Sequence, residues 1–237
     1  AFLLHVCAGH LGRAPGAVIY TAVLNERGTY ESDITAHRIA EDHYRLFVGT
    51  NAIKRDLAWL RRHADGFAVQ LIDRTTDFAV FGLMGPDAPH IAATLGGDSL
   101  LDLGYFKHCE ADLAGTSVRG ARLSYVGEAG WEITCDWGDA PRLFDALVAA
   151  GATPAGLYAQ TAMRIEKGFC LIGHELNSDL SPIEAGLAAM TRKSGGFIGA
   201  EALARRAADG ASPSVVSIVL DDQDAVPLGP EPIYADG

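Results

Sequence analysis

Residues 20–38, YTAVLNERGTYESDITAHR, constrain the fold of this chain more than any other stretch. An apolar run that reads as a strand enters a polar turn at 25–28, and the chain returns with a carboxylate, Asp33, where a strand should resume. Arg27-Gly28 supplies the reversal, so the two runs form a hairpin and pair antiparallel. Residues 124–133, SYVGEAGWEI, repeat the arrangement far downstream with Glu128 and Glu132. A carboxylate at a turn-to-strand junction is presented by the loop and fixed by the strand, which is how a rigid scaffold aims acid or base groups at a ligand.

Helices are predicted between and after these hairpins. Ile53, Leu57 and Leu60 recur at helical spacing in NAIKRDLAWLRRH, and Arg61, Arg62 and His63 crowd its last turn, where cations suit the helix dipole. Further helices are expected from Gly85-Pro86 to Leu95, over 141–149 with Asp139 as cap and Gly151 as stop, over 155–167 before Gly168, and over 183–188 and 200–208. Residues 2–7 read as the end of a helix or strand. Strands are predicted over 17–24, 67–72, 78–83, 107–114, 117–126 and 131–136, and after a linker at 210–214 another over 215–220. Hairpins and helices alternate without the strict strand–helix–strand repeat of a parallel sheet, so the class is α+β.

Thirty acidic against nineteen basic residues give a net charge of -11, which repels phosphate backbones and acidic membrane surfaces and weighs against a nucleic-acid or membrane partner. Cys7, Cys109, Cys135 and Cys170 are widely spread, without a C-x-x-C pair, which points to reduced thiols in a cytoplasmic compartment. The opening AFLLHVCAGHLG has no initiator Met and an apolar run too short to span a bilayer; the chain is expected to lack both true termini, with Ile233 and Tyr234 unpartnered at the other end.

Several residues could carry chemistry, each with a plain structural alternative. Asp is depleted in strands, so Asp33 is either functional or, with Ser32, caps the turn. Tyr125 and Glu132 can face one cleft from the two sides of the GEAG turn, and a carboxylate beside a tyrosine suits the two N–H donors on the edge of a pterin; an ordinary hairpin with exposed acids is the other reading. Arg164, one turn before Gly168, can hold a carboxylate, cap carbonyls or pair within its helix. His174-Glu175 lacks the partner of an H-E-x-x-H helix, so no metal is assigned, and neither a dinucleotide nor a triphosphate loop is present.

Four blocks in order, YTAVLNERGTYESDITAHRIAEDHYRLFVG, LSYVGEAGWEI, AMRIEKGFCLIGHEL and SPIEAGLAAMTRKSGGFIGAEAL, resemble the folate-binding aminomethyltransferase family. That family includes the T-protein of the glycine cleavage system and the C-terminal halves of dimethylglycine and sarcosine dehydrogenases. RDLAWLRRH, EKG, SPIEAGL and FIGAEAL look closest to the dehydrogenase-fused members. The resemblance implies two ferredoxin-like α/β subdomains, one from 1–64 and 152–210 that lacks its N-terminal part and one over 65–151, followed at 211–237 by the start of a truncated C-terminal β-barrel.

It also implies tetrahydrofolate as cofactor, 5,10-methylenetetrahydrofolate as product, and an amine-derived one-carbon donor. A flavin dehydrogenase half with FAD would precede the chain in a fused protein. Carried over residue by residue, the family's catalytic aspartate falls on Asp33, and its folate-site residues on Tyr20, Tyr125, Glu132 and Arg164. The alternatives are a stand-alone T-protein using a lipoyl-bound aminomethyl group, and a folate-binding iron-sulfur assembly factor, whose K-G-C-Y signature is broken here by Phe169. Where the family commonly has Gly-Gly before the aspartate strand this chain has Gly28-Thr29; threonine does not adopt positive φ cheaply, so the aim of Asp33 is expected to differ.

Overall fold

The computed structural model describes residues 1–210, 213–222, 224–227, 229, 232 and 234. In chain order its elements are α1 (Phe2–Val6), β1 (Val18–Leu24), β2 (Tyr30–Arg38), β3 (Tyr44–Val48), α2 (Ile53–Arg62), β4 (Phe78–Met84), α3 (Ala88–Thr94) and α4 (Asp98–Leu101). There follow β5 (His108–Leu113), β6 (Thr116–Ala121), β7 (Gly130–Asp136), α5 (Ala140–Ala149), α6 (Leu157–Glu166) and α7 (Ala200–Asp209). The strands form two antiparallel sheets, one ordered β1-β2-β3 and the other β4-β7-β6-β5. This is the α+β architecture expected from the alternation of hairpins and helices.

The three-stranded sheet is covered on both faces. Ile19, Val23, Ile34 and Ala36 pack against Phe2, Val6, Trp59 and Leu60 from α1 and α2. On the opposite face Ala22, Leu24 and Tyr30 meet Ile172, Leu176 and Phe197 from the segment after α6. A β-bulge between the partners of Val23 and Leu24 puts Tyr30, rather than Glu31, opposite Leu24 and so turns the Tyr30 ring to this second face. In the four-stranded sheet Trp131, Ile133 and Cys135 bury against Leu100, Leu143 and Leu147, and the Trp131 indole N–H donates to the Leu100 carbonyl at 3.0 Å. Its other face carries Gly82, Ala121, Glu132 and Thr134, in register across three strands.

Several expectations are corrected. Residues 67–72 form no strand: Phe67 packs edge-on against Phe2 at 5.5 Å, and the backbone closes local turns to Ala64 and Phe67 because no sheet edge is offered to it. β6 stops at Ala121 rather than reaching Val126, since the Ser124 hydroxyl accepts the N–H groups of Val126 and Glu128 and pulls the chain into a turn. The helix after Gly85 begins only at Ala88, with Pro89 in its first turn, and 183–188 is a series of turns ahead of a short 3₁₀ segment, Ala188–Met190. Strand β3 was not anticipated.

The expected strand at 215–220 is not formed: it pairs with no strand among the described residues, Val219 is 89% exposed, and Val215 N–H donates to the Glu184 carbonyl; a strand without an edge to pair with gains nothing. Parts of the expected linker and barrel, including Ile233, lie outside the described residues.

Thr29 is explained. Gly28 takes the positive φ of 75°, while buried Thr29 donates its hydroxyl to Asn25 Oδ1 at 3.0 Å and its carbonyl accepts the Asn25 N–H at 3.0 Å. The turn closes through Asn25, so no second glycine is required.

Candidate active site

The open face of the four-stranded sheet and the Tyr20–Asp33 face of β1 and β2 lie against each other at one end. There Val18 N–H donates to the Phe106 carbonyl, His108 N–H donates to the Gly16 carbonyl, and the His37 and His108 rings stack at 5.1 Å. Arg45 lies over the Phe78 ring at 4.1 Å. Farther along the same two faces stand Asp33 on β2 and Glu132 on β7, one from each sheet.

Asp33 is not a turn cap. It sits within β2 opposite Ala22 and accepts a 2.8 Å hydrogen bond on Oδ2 from the Tyr20 hydroxyl on β1. The two side chains share a face because antiparallel pairing aligns Tyr20 with Thr35 and Ala22 with Asp33. Burial raises the Asp33 pKa above the ordinary carboxyl range even though the Tyr20 donor pulls the other way, and the nearby Asp56 carboxylate raises it further. Asp56, buried on α2, accepts a 2.6 Å bond from Ser32 on the reverse face of β2. The Asp33 charge in turn helps raise the pKa of Tyr20, Tyr30, Tyr125 and Cys170, with burial the larger cause for each, which places all four around it.

Glu132 has a different environment. Its carboxyl pKa is raised by burial, with no hydrogen bond or charge opposing it, so it has no partner among the described residues. Its neighbours across the sheet are Gly82, which is exposed, and Ala121, which is fully buried.

The third wall comes from the end of α6 and the segment behind it. Arg164, 2% exposed, donates through Nη1 to Glu175 Oε2 at 2.6 Å and to the Phe169 carbonyl at 3.1 Å, while its Nε is buried without a partner among the described residues. Burial would raise the Glu175 pKa, but the Arg164 and Leu171 donors bring it below its ordinary value. Tyr125, in the 122–129 turn rather than on a strand, stacks on Phe169 at 6.3 Å and donates to the Cys170 carbonyl at 3.0 Å; burial pushes its pKa up to about 12. Glu128 is held by Lys167 at 3.6 Å, so it pins the turn to the end of α6.

The structure therefore gathers Tyr20, Asp33, Tyr125 and Arg164 around one set of neighbours and sets Glu132 on the floor of the facing sheet. Sequence reasoning missed Tyr30, Cys170, Glu175 and Gly82. A glycine inside an otherwise apolar strand was the available signal for Gly82; Glu175 carried none, because its partner lies on α6. Among the described residues there is no cluster of His, Cys, Asp and Glu able to hold a metal, and no helix is long and apolar enough to cross a membrane.

A fold of two such sheets has known counterparts. Residues 1–195 match the family profile described as the GCVT N-terminal domain, and the chain belongs to that family. It is 35% identical over 228 residues to the aminomethyltransferase of Halalkalibacterium halodurans, covering 93% of this chain and 62% of that protein. With an aminomethyltransferase of Thermus thermophilus it shares 38% identity over 211 residues, 87% of this chain and 60% of that protein. The chain thus spans about three fifths of the length of these curated relatives. A crystal structure of the glycine cleavage system aminomethyltransferase T from Bartonella henselae superposes with a TM-score of 0.79 at 28% identity, covering 88% of this chain and 58% of that one.

Proposed function

We propose that this chain is the folate-binding part of a tetrahydrofolate-dependent one-carbon transferase, with Asp33 as the proton-handling residue and Glu132 as the anchor of the pterin. Glu132 carries the reading: its carboxyl is partly buried, that burial raises its pKa, and it has no hydrogen-bond donor among the described residues, beside the exposed backbone of Gly82. A desolvated carboxylate without donors is costly, and a ligand edge bearing two N–H groups would satisfy it. The residues therefore fit a reduced pterin. Tetrahydrofolate would supply the nitrogens that accept the transferred carbon.

Tyr20 holds one oxygen of Asp33, and the raised pKa brings the carboxylate closer to the neutral range in which a group both takes and returns a proton. Its negative charge also stabilises a cation developing beside it, more strongly as water leaves the cleft. Tyr20 lines the Asp33 wall and Tyr125 the wall behind it. Arg164 assists by fixing that wall through Glu175 and Phe169 and by its positive charge. Two subdomains, 1–64 with 152–210 and 65–151, are proposed around the separate cores of the two sheets, although Phe67 and Leu71 pack on the first core and Ala152 on the second.

Two sources of the carbon are supported by different observations. The named relatives support an aminomethyl donor of the glycine cleavage kind, in a stand-alone aminomethyltransferase. The EKG, SPIEAGL and FIGAEAL wording supports a dimethylglycine or sarcosine dehydrogenase-like protein, whose FAD would sit on its flavin half. Supplying each donor to the intact protein separates them.

Calorimetry with tetrahydrofolate tests the site. The wild-type protein binds, and Glu132→Ala weakens binding about 10-fold or more, the value of a hydrogen-bonded charge. Asp33→Asn still binds but turns over about 10²–10⁴-fold more slowly. An unchanged rate removes Asp33 from catalysis, and an unchanged affinity removes Glu132 from the pterin site.

A further inference from the structure

Three glycines lie inside strands, Gly82 in β4, Gly120 in β6 and Gly130 at the start of β7. The protein itself explains two of them. A Cβ on Gly120 would run into Leu100 Cδ2, and one on Gly130, whose φ is 152°, would run into the Leu83 carbonyl oxygen. Gly82 is different. Its φ is not in the positive range, it is exposed, and a Cβ there would meet only Met84 Cε at 3.4 Å and Sδ at 3.8 Å, ordinary contacts with the end of a flexible side chain. Nothing among the described residues excludes a larger residue, yet glycine inside a strand loses stability relative to almost any other. A mid-strand glycine without a backbone or packing reason marks a close approach by something else.

That something is indicated by position. Gly82 stands directly opposite Glu132, and Ala121 stands opposite Glu132 on its other side. A flat ring with its N–H edge on the carboxylate must lie over one of these two neighbours. Ala121 is fully buried and already covered by the chain, whereas Gly82 is exposed. We propose that Gly82 is the specificity-determining position of the heterocycle site: its missing side chain admits a flat bicyclic ring lying on β4 with its donor edge against Glu132. This rests on the reading of Glu132 as pterin anchor given above. The residue binds by leaving room, so its effect appears as a steric threshold: the loss of affinity grows with the volume placed there, while the exposed backbone accepts any side chain.

The test is a series in the intact protein, Gly82→Ala, Gly82→Val and Gly82→Leu, titrated calorimetrically with tetrahydrofolate and, separately, with a tetrahydropterin lacking the benzoylglutamate tail. Thermal melting without ligand accompanies each titration. Affinity should fall in the order Ala, Val, Leu, with the Leu variant about 30-fold or more below wild type, the loss expected when a branched side chain overpacks a site. Both ligands should lose affinity together, because the ring is their common part, and the unliganded melting midpoints should hold or rise.

If the wild type binds and the Val and Leu variants bind as tightly, the role of Gly82 is overturned while the Glu132 reading stands. If the midpoints fall along the series and the folded fraction keeps wild-type affinity, Gly82 serves the fold and the proposal is equally overturned. Should the wild type bind neither ligand, the folate reading itself fails. Should the Leu variant not fold, the smaller and strand-favouring Val variant decides the matter by the same comparison.

Discussion

Replacing Arg164 with methionine retains most of the apolar stem and removes the guanidinium. Arg164 is 2% exposed, and its Nη1 makes the 2.6 Å ion pair to Glu175 and the 3.1 Å bond to the Phe169 carbonyl. Breaking a fully buried pair by removing one partner costs about 3–5 kcal/mol. The Glu175 side chain is 31% exposed and keeps the Leu171 N–H, so water and that donor recover part of the loss, which leaves about 2–3 kcal/mol. For a chain of this size that lowers the melting midpoint by about 4–12 °C.

The assay is urea and thermal unfolding of the intact protein for Arg164→Met, Glu175→Gln and the double variant, without ligand. A coupling energy of about 1–2 kcal/mol is expected from the cycle. The pH dependence has a definite sign. The folded-state pKa of Glu175 lies below its ordinary value of 4.5, so the pair's contribution is present above that value and is lost as pH falls through the folded pKa. The penalty of Arg164→Met should therefore shrink in acid. A coupling below about 0.5 kcal/mol, or a penalty that grows in acid, would refute the buttress.

Other variants probe the remaining walls. Asp33 has a folded pKa above its ordinary 3.8, so charging it costs stability as pH rises through that window; Asp33→Asn should melt at or above wild type at neutral pH, with the difference gone well below 3.8, and a lower neutral midpoint would contradict the desolvation. Ser32→Ala removes the 2.6 Å donor of buried Asp56 and should cost about 1–3 kcal/mol in urea unfolding; a neutral result would mean that water replaces the hydroxyl. Gly28→Ala forces φ of 75° on a residue with a Cβ placed 2.7 Å from the Leu203 amide nitrogen, so a loss above about 1 kcal/mol is expected, checked by the melting midpoint.

Elements whose stabilising contacts are local were legible in the chain. The first hairpin, α2, whose buried apolar face is Trp59 and Leu60 rather than Leu57, and α6 before Gly168 all follow from period, turn chemistry and stops within a few residues. The failures share one cause. Residues 67–72 and 215–220 have strand-like composition, but a strand exists only where another strand offers its edge, and among the described residues none does. The Ser124 turn shortened β6 because one hydroxyl took two backbone N–H groups, a competition that composition does not reveal.

The site divides along the same line. By itself the sequence determined the residue types, the order of the four family blocks and the placing of Asp33 just beyond a tight turn, because these are properties of neighbours along the chain. It left Asp33 open between cap and catalyst, and Arg164 open among three partners. Only the tertiary structure decided that Tyr20 reaches Asp33, through the antiparallel register of β1 and β2, and that a bulge turns Tyr30 to the same side. It also chose Glu175, eleven residues on, for Arg164 and set Glu132 between Gly82 and Ala121, pairings that no turn or helical period along the chain specifies. Which strand lies beside which is settled by burying apolar faces over the whole chain, and no local pattern of residues contains that sum.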